Sequence, residues 1–405
     1  MIDLEPSEKM QNVQSSMHQM AESIFRPVAR KYDEEEHTYP HELDMFKNIP
    51  IMGGSKKKKA SPEGKKDAKK DEKKKKAGSG MGQTLSTVVT VEELAWGDVG
   101  LLLTLPNAGL GNASIAAVAT EEQLERFGSK WVAMAITEPE AGSDSGAAST
   151  TAELDGDEWV LNGEKIFVTC AERCDAVVVW ANVDPSAGKA GIKPFVVEKG
   201  TPGFKLDHLE YKLGIRASDT GTLVFTNCRI PRDNILGSPE VKSETEGFKG
   251  VMKTFDNTRP LIAAMSVGVA RAALDFTREK LEEQGKKLDY SRKPNSLSHA
   301  ESAFYRMEAH LEAMRLLTWR AACMADEGRF NNVEASMAKA KAGRYGTLIT
   351  QQCCELLGPL GYSRDYLAEK WMRDSKILDI FEGTGQIQHL IVARNILNLS
   401  RNELK

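Results

Sequence analysis

The spacing of apolar residues changes twice along this chain, and each change marks a different kind of structure. Up to about residue 130, apolar residues such as Met17, Met20 and Ile24 recur at helical intervals. Short runs rich in Val, Ile and aromatic residues then follow between Gly and Pro, which predicts strands. Helical spacing returns after Pro231, with one long apolar stripe from Phe304 to Met324. The chain is therefore predicted to be mostly α with a central β barrel or sandwich, in three domains: an N-terminal helical domain (1–130), a middle β domain (131–240) and a C-terminal four-helix bundle (241–405).

Length and composition exclude several classes of protein. The 405 residues exceed what one hydrophobic core usually organises, and 41% apolar with 28% charged residues is ordinary for a soluble globular protein. A net charge of -4 argues against general nucleic-acid binding. No apolar run approaches membrane-spanning length, and the acidic start Met1–Glu5 does not resemble a secretory signal. We therefore expect a cytoplasmic protein without a membrane span.

The six cysteines show neither CxxC spacing nor alternation with histidine. This pattern predicts no metal site and no disulfide framework, so the thiols are expected to be reduced and mostly packed.

A lysine-rich segment, residues 53–80, departs from the average composition. It holds twelve lysines against four acids, a net charge of +8. Such a segment cannot bury a core, and a disordered loop is predicted. A solubilising insertion is the simpler interpretation of its charge, and a patch for an anionic partner is the alternative.

The β region contains one strong turn signal. Asn162-Gly163 separates two strand-like runs, 158–161 and 166–169, which predicts a hairpin there. Further strands are predicted at 176–180, 194–197 and 222–225.

A lone acid stands near the C-terminus, in the string Phe381-Glu382-Gly383-Thr384-Gly385-Gln386. Gly383 lowers helix propensity, so a turn is predicted, with Thr384 capping the helix that follows. The Glu382 carboxylate could then project into a cavity beside free backbone N–H groups. On its own the string is weak evidence, because carboxylates are common at helix starts.

Two strings in the β region carry a resemblance to a known family. Ala135–Asp144 resembles the flavin and substrate loop of the acyl-CoA dehydrogenase family, usually written TEPxAGSD, and Gly163–Thr169 resembles the strand that follows it. Independently of the family, Gly142 lets the backbone approach a ligand closely. Where the family commonly has tryptophan this chain has Phe167, which can stack on a flavin but lacks the indole N–H. Without the resemblance, Phe167 would be taken for a core residue.

The resemblance implies FAD as cofactor. The residues that it places on the flavin are Met134, Ala135, Ile136, Thr137, Gly142, Ser143, Phe167, Val168, Thr169, Thr384, Gly385 and Gln386.

The string Thr254–Pro260 is similar to the family's helix beside the thioester. Some family branches carry the catalytic base on this helix, but position 258 is a threonine, which leaves Glu382 as the candidate base. An ordinary ion pair between Asp256 and Arg259 is the structural alternative. The substrate contacts implied by the family are Ser143, Phe255, Asp256, Arg259, Glu382 and Gly383.

The activity implied by the resemblance is FAD-dependent α,β-dehydrogenation of an acyl-CoA to the trans-2-enoyl-CoA, with electrons passed to an electron-transfer flavoprotein. A non-catalytic or partner-dependent subunit, an acyl-CoA oxidase and a flavin monooxygenase are the alternatives on the same fold. The acyl group is not specified, and Phe330 stands where the family commonly has an arginine near the CoA adenine.

Two other motifs of the family are altered in this chain. The family's Arg-x-x-Phe-Gly, which reaches a neighbouring subunit's flavin pyrophosphate, is replaced by Glu283–Leu288, where Gln284 lacks the charge. In the string that holds the neighbour's adenine half, Glu355 would repel phosphate and Pro359 removes a donor. These losses predict an α2β2 heterotetramer with a paralogous chain, and a homotetramer is the alternative.

Overall fold

The structure is a computed structural model that describes residues 6–46, 82–106, 110–241, 246–400 and 403–404. Within 246–257 it describes the backbone of a helix but not the side chains. The lysine-rich segment 53–80 lies outside the described residues, so the prediction of a disordered loop there stays a prediction.

A layer of helices forms the N-terminal part. Helix α1 continues through a π turn and a 3-10 turn into α2, and α3 follows the gap in the described residues. The bounds are α1 Glu8–Met20, π turn Ala21–Phe25, 3-10 turn Arg26–Val28, α2 Ala29–Glu34, 3-10 turn His41–Phe46, α3 Gln83–Leu102, α4 Leu110–Val118 and α5 Glu121–Phe127. Helix α5 begins with a capping box between Thr120 and Gln123, which satisfies two backbone N–H groups at its start.

The middle part is one seven-stranded sheet. Its strands are β1 Val132–Ala135, β2 Thr151–Asp155, β3 Glu158–Thr169, β4 Ala176–Asn182, β5 Ile192–Glu198, β6 Phe204–Leu209 and β7 Thr220–Pro231. The order is β1-β4-β2-β3-β7-β6, with β5 pairing on β4. β1 and β2 run parallel to β4, and the other pairs are antiparallel. The three further strands predicted from sequence are confirmed as parts of β4, β5 and β7.

The hairpin predicted at Asn162-Gly163 is wrong. β3 runs straight through these residues, and the turn lies earlier, where Asp155 pairs with Glu158 around Gly156 at φ +63°. Asn162 instead accepts a hydrogen bond (2.7 Å) from the backbone N–H of Asn227, which lies at a register shift on β7. Its Oδ1 supports a bulge on the neighbouring strand.

The C-terminal part is a bundle of long helices. Its helices are α6 Glu246–Glu283, α7 His299–Asp326, α8 Asn332–Leu357, α9 Pro359–Tyr362, α10 Ala368–Ser375 and α11 Gly385–Leu397. The predicted stripe lies on α7, where six of its residues are buried and Leu317 is partly buried: Phe304, Met307, Leu311, Met314, Ala321 and Met324. One core joins this bundle to α3, and the predicted fold class is confirmed.

Within the described residues, the segment Thr258–Glu283 of α6 is long and apolar enough to cross a membrane by length and composition. Inside the protein, 78% of its most apolar window is buried. Four of the six cysteines, Cys170, Cys174, Cys228 and Cys353, are buried, which confirms that the cysteines are mostly packed.

A buried ionic cluster connects the N-terminal layer to the last part of the chain. The Lys370 ammonium on α10 donates to Asp98, which interrupts the helical backbone of α3, and to Asp374 (2.6 Å). Asp374 also accepts a hydrogen bond from the backbone N–H of Ile215 (2.6 Å), in the loop between β6 and β7. All three charged side chains are about 1% exposed. The cluster therefore fixes α10 only a few residues before Glu382.

Candidate active site

Glu382 lies in a tight turn between α10 and α11. The turn takes the left-handed backbone conformation at two consecutive residues, Glu382 (φ +57°) and Gly383 (φ +87°). That conformation is unfavourable for a residue with a side chain, so the surrounding structure must hold Glu382 in place. A Cβ at residue 383 would come within 2.5 Å of Gln388 Nε2, which explains the glycine there.

Three side chains hold this turn. Thr384 caps α11 by accepting the backbone N–H of Ile387 (3.3 Å), as predicted. The carbonyl of Gly383 accepts a hydrogen bond from Lys339 Nζ (2.7 Å) and one from Gln388 Nε2 (3.1 Å). The turn is therefore fixed from its own helix and from α8.

The Glu382 carboxylate is directed toward α6. Its Oε2 accepts a hydrogen bond from the Thr258 hydroxyl (2.8 Å). Burial raises the pKa of Glu382 above its usual value, while the Thr258 hydrogen bond and the positive charges of Lys339 and Arg259 act in the opposite direction. A carboxylate with a raised pKa is a stronger base than one in water.

The predicted substrate helix is the first half of α6. Arg259 is buried, and its Nη1 donates to Asn332 Oδ1 (2.8 Å) at the start of α8. Thr258 and Arg259 thus lie beside the Glu382 turn. The side chains of Phe255 and Asp256 are outside the described residues, so their predicted substrate contacts stay predictions.

The predicted flavin loop follows β1. Its Thr137 carbonyl accepts the backbone N–H of Ile166 (2.9 Å), which ties the loop to β3. Gly142 and Ser143 are exposed, and a Cβ on Gly142 would meet nothing within 4 Å. The loop therefore presents open backbone that a planar ring system could approach.

Phe167 stands out of the sheet because β3 is bulged there. Lys165 pairs with Leu223, and Val168 pairs with Gly221. The stretch of β3 between these pairs therefore contains one residue more than the facing stretch of β7. Phe167 takes φ +56°, and its ring is 61% exposed. Phe167 is therefore not the core residue that the pattern alone suggested, and its ring is available for stacking.

The other predicted flavin residues divide by exposure. Ala135, Val168 and Gly385 are buried and can offer only backbone atoms. The half-buried ones are Met134, Ile136, Thr137, Thr169 and Thr384, and Gln386 is exposed. Open backbone, an exposed aromatic ring and the start of α11 fit the demands of an FAD.

Four residues that were not predicted from the sequence as site residues support this site. Lys339 and Gln388 hold the Glu382 turn, and Glu138 and Lys165 form a buried ion pair (2.6 Å) behind the flavin loop. Lys339 lies in the alanine-rich stretch 335–342 of an amphipathic helix, where a buried lysine is unexpected. A charged residue at an apolar helical position was the signal available in the sequence.

The residues predicted to have lost contacts to a neighbour's flavin lie on the surface. Gln284 and the two lysines after it follow the end of α6 and are exposed. Glu355 is exposed near the end of α8, and Pro359 is the first residue of α9.

Known proteins resemble this chain along most of its length. Residues 133–228 match the model of the acyl-CoA dehydrogenase middle domain, and residues 245–397 match that of the C-terminal domain. The bovine (Bos taurus) mitochondrial short-chain specific acyl-CoA dehydrogenase is 35% identical over 408 aligned residues, 98% of this chain and 92% of the relative.

Two solved structures superpose over nearly the whole fold. Butyryl-CoA dehydrogenase from Megasphaera elsdenii has a TM-score of 0.82 and 31% identity, covering 98% of this chain and 100% of that one. A chain in the structure described as an electron transferring flavoprotein of Acidaminococcus fermentans, concerned with flavin-based electron bifurcation, has a TM-score of 0.83 and 31% identity with the same coverage. The chain therefore belongs to the acyl-CoA dehydrogenase family, enzymes that carry FAD and dehydrogenate acyl-CoA thioesters.

Proposed function

We propose that this chain removes the α-proton of an acyl-CoA with Glu382 and yields the trans-2-enoyl-CoA. The observation that carries the proposal is the half-buried Glu382 carboxylate, held on a left-handed turn with its pKa raised by burial. A surface carboxylate would have neither the fixed position nor the basicity for a carbon acid. Because curated relatives such as the bovine enzyme are short-chain specific, a short acyl-CoA such as butyryl-CoA is the first substrate to test.

The turn suits the charge that develops as the proton leaves. When the α-carbon loses its proton, negative charge moves to the thioester oxygen, and in the proposed mechanism a backbone N–H of Glu382 would stabilise it. A bound FAD would supply the acceptor for the hydride that leaves the β-carbon. The exposed Phe167 ring and the open backbone at Gly142 would hold the flavin, together with Thr384–Gln386.

For the thioester, we propose contacts from the helix that carries Thr258 and Arg259. The Thr258 hydroxyl keeps the Glu382 carboxylate in one orientation, and Arg259 is fixed by Asn332. In this scheme Ser143, Phe255, Asp256 and Gly383 line the substrate from their own segments.

An electron-transfer flavoprotein is the proposed electron acceptor. The support is a structure described as an electron transferring flavoprotein. One chain in that structure matches 98% of the present chain. Reoxidation by molecular oxygen would instead indicate the alternatives on this fold, an acyl-CoA oxidase or a flavin monooxygenase.

We further propose that the chain assembles with a paralogous chain as an α2β2 heterotetramer. Gln284, Glu355 and Pro359 are exposed where the family offers contacts to a neighbour's flavin. Gln284 lacks the arginine charge, Glu355 would repel phosphate and Pro359 has no backbone donor. A homotetramer with divergent flavin contacts is the alternative.

The test is Glu382→Gln in the flavin-loaded protein, reduced anaerobically by butyryl-CoA. The amide keeps the size of the side chain but cannot take the proton, so we expect flavin reduction to slow by roughly 10³-fold or more while FAD content and ligand binding persist. Glu327→Gln, on an exposed acid after α7, is the control and should reduce at the normal rate.

Adding an electron-transfer flavoprotein or oxygen to the reduced wild-type enzyme then identifies the acceptor. Reduction of Glu382→Gln at the wild-type rate would refute the assignment of the base.

A further inference from the structure

Lys339 is a buried lysine in contact with the turn that carries the proposed base. It lies on α8 with no exposed surface, and its ammonium donates to the Gly383 carbonyl (2.7 Å). A fully buried ammonium is costly to maintain, and this one lies in the alanine-rich part of the helix. A role beyond packing would explain why a lysine is buried at this position.

The charges around Lys339 come from three neighbouring segments. Burial lowers the pKa of Lys339 to about 8, the negative charges of Asp379 and Glu382 oppose that shift, and Arg259 on α6 adds to it. Asp379 belongs to the 3-10 turn that follows α10. At neutral pH Lys339 is therefore mostly protonated, and its positive charge stabilises the ionised form of Glu382.

The hydrogen bond from Lys339 also acts on the backbone of the turn. The Gly383 carbonyl lies between Glu382 and Thr384 in the backbone. It accepts hydrogen bonds from Lys339 on α8 and from Gln388 on α11. Left-handed backbone is unfavourable for a non-glycine residue, so Glu382 needs such contacts to stay in place. Loss of the Lys339 donor would leave this carbonyl with the weaker hydrogen bond from Gln388 Nε2 (3.1 Å).

We propose that Lys339 is a positioning residue for Glu382: it anchors the Gly383 carbonyl and places a positive charge behind the carboxylate that takes the proton. The proposal rests on the proposed function, since it assigns Lys339 a part in the same proton transfer. It predicts both a geometric and an electrostatic effect of removing the ammonium.

The test is Lys339→Met in the flavin-loaded enzyme. Without the nearby charge the pKa of Glu382 rises, so the acid limb of the kcat/KM profile should move to higher pH by about 1 unit. A displaced base should also lower kcat by roughly ten- to a hundredfold, with a smaller change in KM. Hydrogen exchange of peptides covering 376–390 should become faster, which is a readout independent of turnover.

Two further variants separate charge from packing. Lys339→Gln keeps a donor but no charge, so it should move the acid limb even if Lys339→Met does not fold. Lys341→Met is the matched control, because Lys341 lies on the same helix but contacts His310 and Tyr345. It should leave the pH profile and the exchange of the turn unchanged.

The outcomes are distinguishable from those of the base assignment. If Glu382→Gln is inactive while both neutral Lys339 variants keep the wild-type acid limb and kcat, only the role of Lys339 is overturned. If Glu382→Gln stays active, the proposed function itself is wrong.

Discussion

At the scale of single residues, the flavin loop depends on an ion pair that never reaches its surface. Glu138 accepts hydrogen bonds from Lys165 (2.6 Å) and from the backbone and hydroxyl groups of Ser149 and Thr150. Burial alone would raise the pKa of Glu138, but Lys165 and the hydroxyl donors lower it to about 2. The acid of the loop motif is therefore a structural anchor, and the predicted ligand contacts of the loop are its neighbours Thr137, Gly142 and Ser143.

Removing Lys165 should destabilise the protein and weaken flavin retention. Lys165→Met leaves the Glu138 carboxylate buried without its cation, an arrangement that costs about 3 to 5 kcal/mol in other proteins. Lys205→Met is the matched control, because Lys205 pairs with Asp207 at 2.8 Å but is 70% exposed. Thermal unfolding and bound FAD should change for the first variant only.

The same pair has a pH dependence of known sign. The pKa of Glu138 is about 2 in the folded protein and near 4.5 when unperturbed, so its stabilisation is present above pH 4.5 and lost as pH falls toward 2. In Lys165→Met the folded pKa of Glu138 should rise, because burial is no longer opposed by the lysine charge, and this acid loss should shrink. An unchanged acid-unfolding profile in the variant would contradict the role given to Lys165.

Such residues are hard to predict because their partners are distant in sequence. The sequence motif predicts the flavin loop, and the acid before a glycine predicts Glu382 as the base. Nothing local indicates that Lys339 will meet the Gly383 carbonyl 44 positions later. Only the packing of α8 against the turn brings the two together.

At the scale of elements, β3 combines two irregularities in one strand. At Gly163 it passes close to Thr150, and at Phe167 it bulges so that an aromatic ring leaves the sheet. Both positions have positive φ, +148° and +56°. The strand thereby belongs to the core and also presents an exposed aromatic residue, Phe167, outside the sheet.

The close approach at Gly163 gives a steric prediction. A Cβ there would lie 2.5 Å from Thr150 Oγ1 and 2.8 Å from its Cα, so Gly163→Ala should cost about 1 to 3 kcal/mol from overpacking in addition to backbone strain. Gly156→Ala, in the turn before β3, meets open space and should cost only the strain, about 1 to 2 kcal/mol. Equal losses in urea unfolding would show that packing against Thr150 is unimportant.

These two glycines also explain why the hairpin prediction failed. Asn162-Gly163 and Asp155-Gly156 are both good turn sequences. The choice between them is made by pairing, since β2 faces residues 158–162 and β7 faces residues 158–169 along one continuous strand. Long-range pairing therefore overrides a local signal.

At the scale of the whole molecule, the predicted contacts to the chain's own flavin differ from those predicted for a neighbour's flavin. The residues predicted to face the chain's own flavin offer open backbone and an exposed ring, whereas Gln284, Glu355 and Pro359, predicted to have lost contacts to a neighbour's flavin, are exposed. The hydrophobic periods were sufficient to predict the fold class, because each period extends over many residues. The domain boundaries near 130 and 240 stay predictions.

Flavin counting tests the assembly. Expressed alone, this chain should retain little FAD; co-purified with a paralogous partner, it should carry about one FAD per two chains, since half the sites would lack a competent neighbour. The triple variant Gln284→Arg, Glu355→Gln, Pro359→Gly should raise FAD retention by the chain alone. Full occupancy in a homotetramer of the unaltered chain would rule the heterotetramer out.

The ionic cluster of Asp98, Lys370 and Asp374 has a consequence for how the protein is made. During translation Asp98 emerges long before Lys370, so a nascent chain must expose this acid to water until nearly all of its length has been synthesised. The ionic cluster can form only after α10 has been synthesised, and the residues of the Glu382 turn follow α10 in the sequence. A ribosome-stalled fragment that ends before Lys370 should therefore bind chaperones more readily than the full chain. The Glu382 turn can form only after the residues of this cluster have been synthesised.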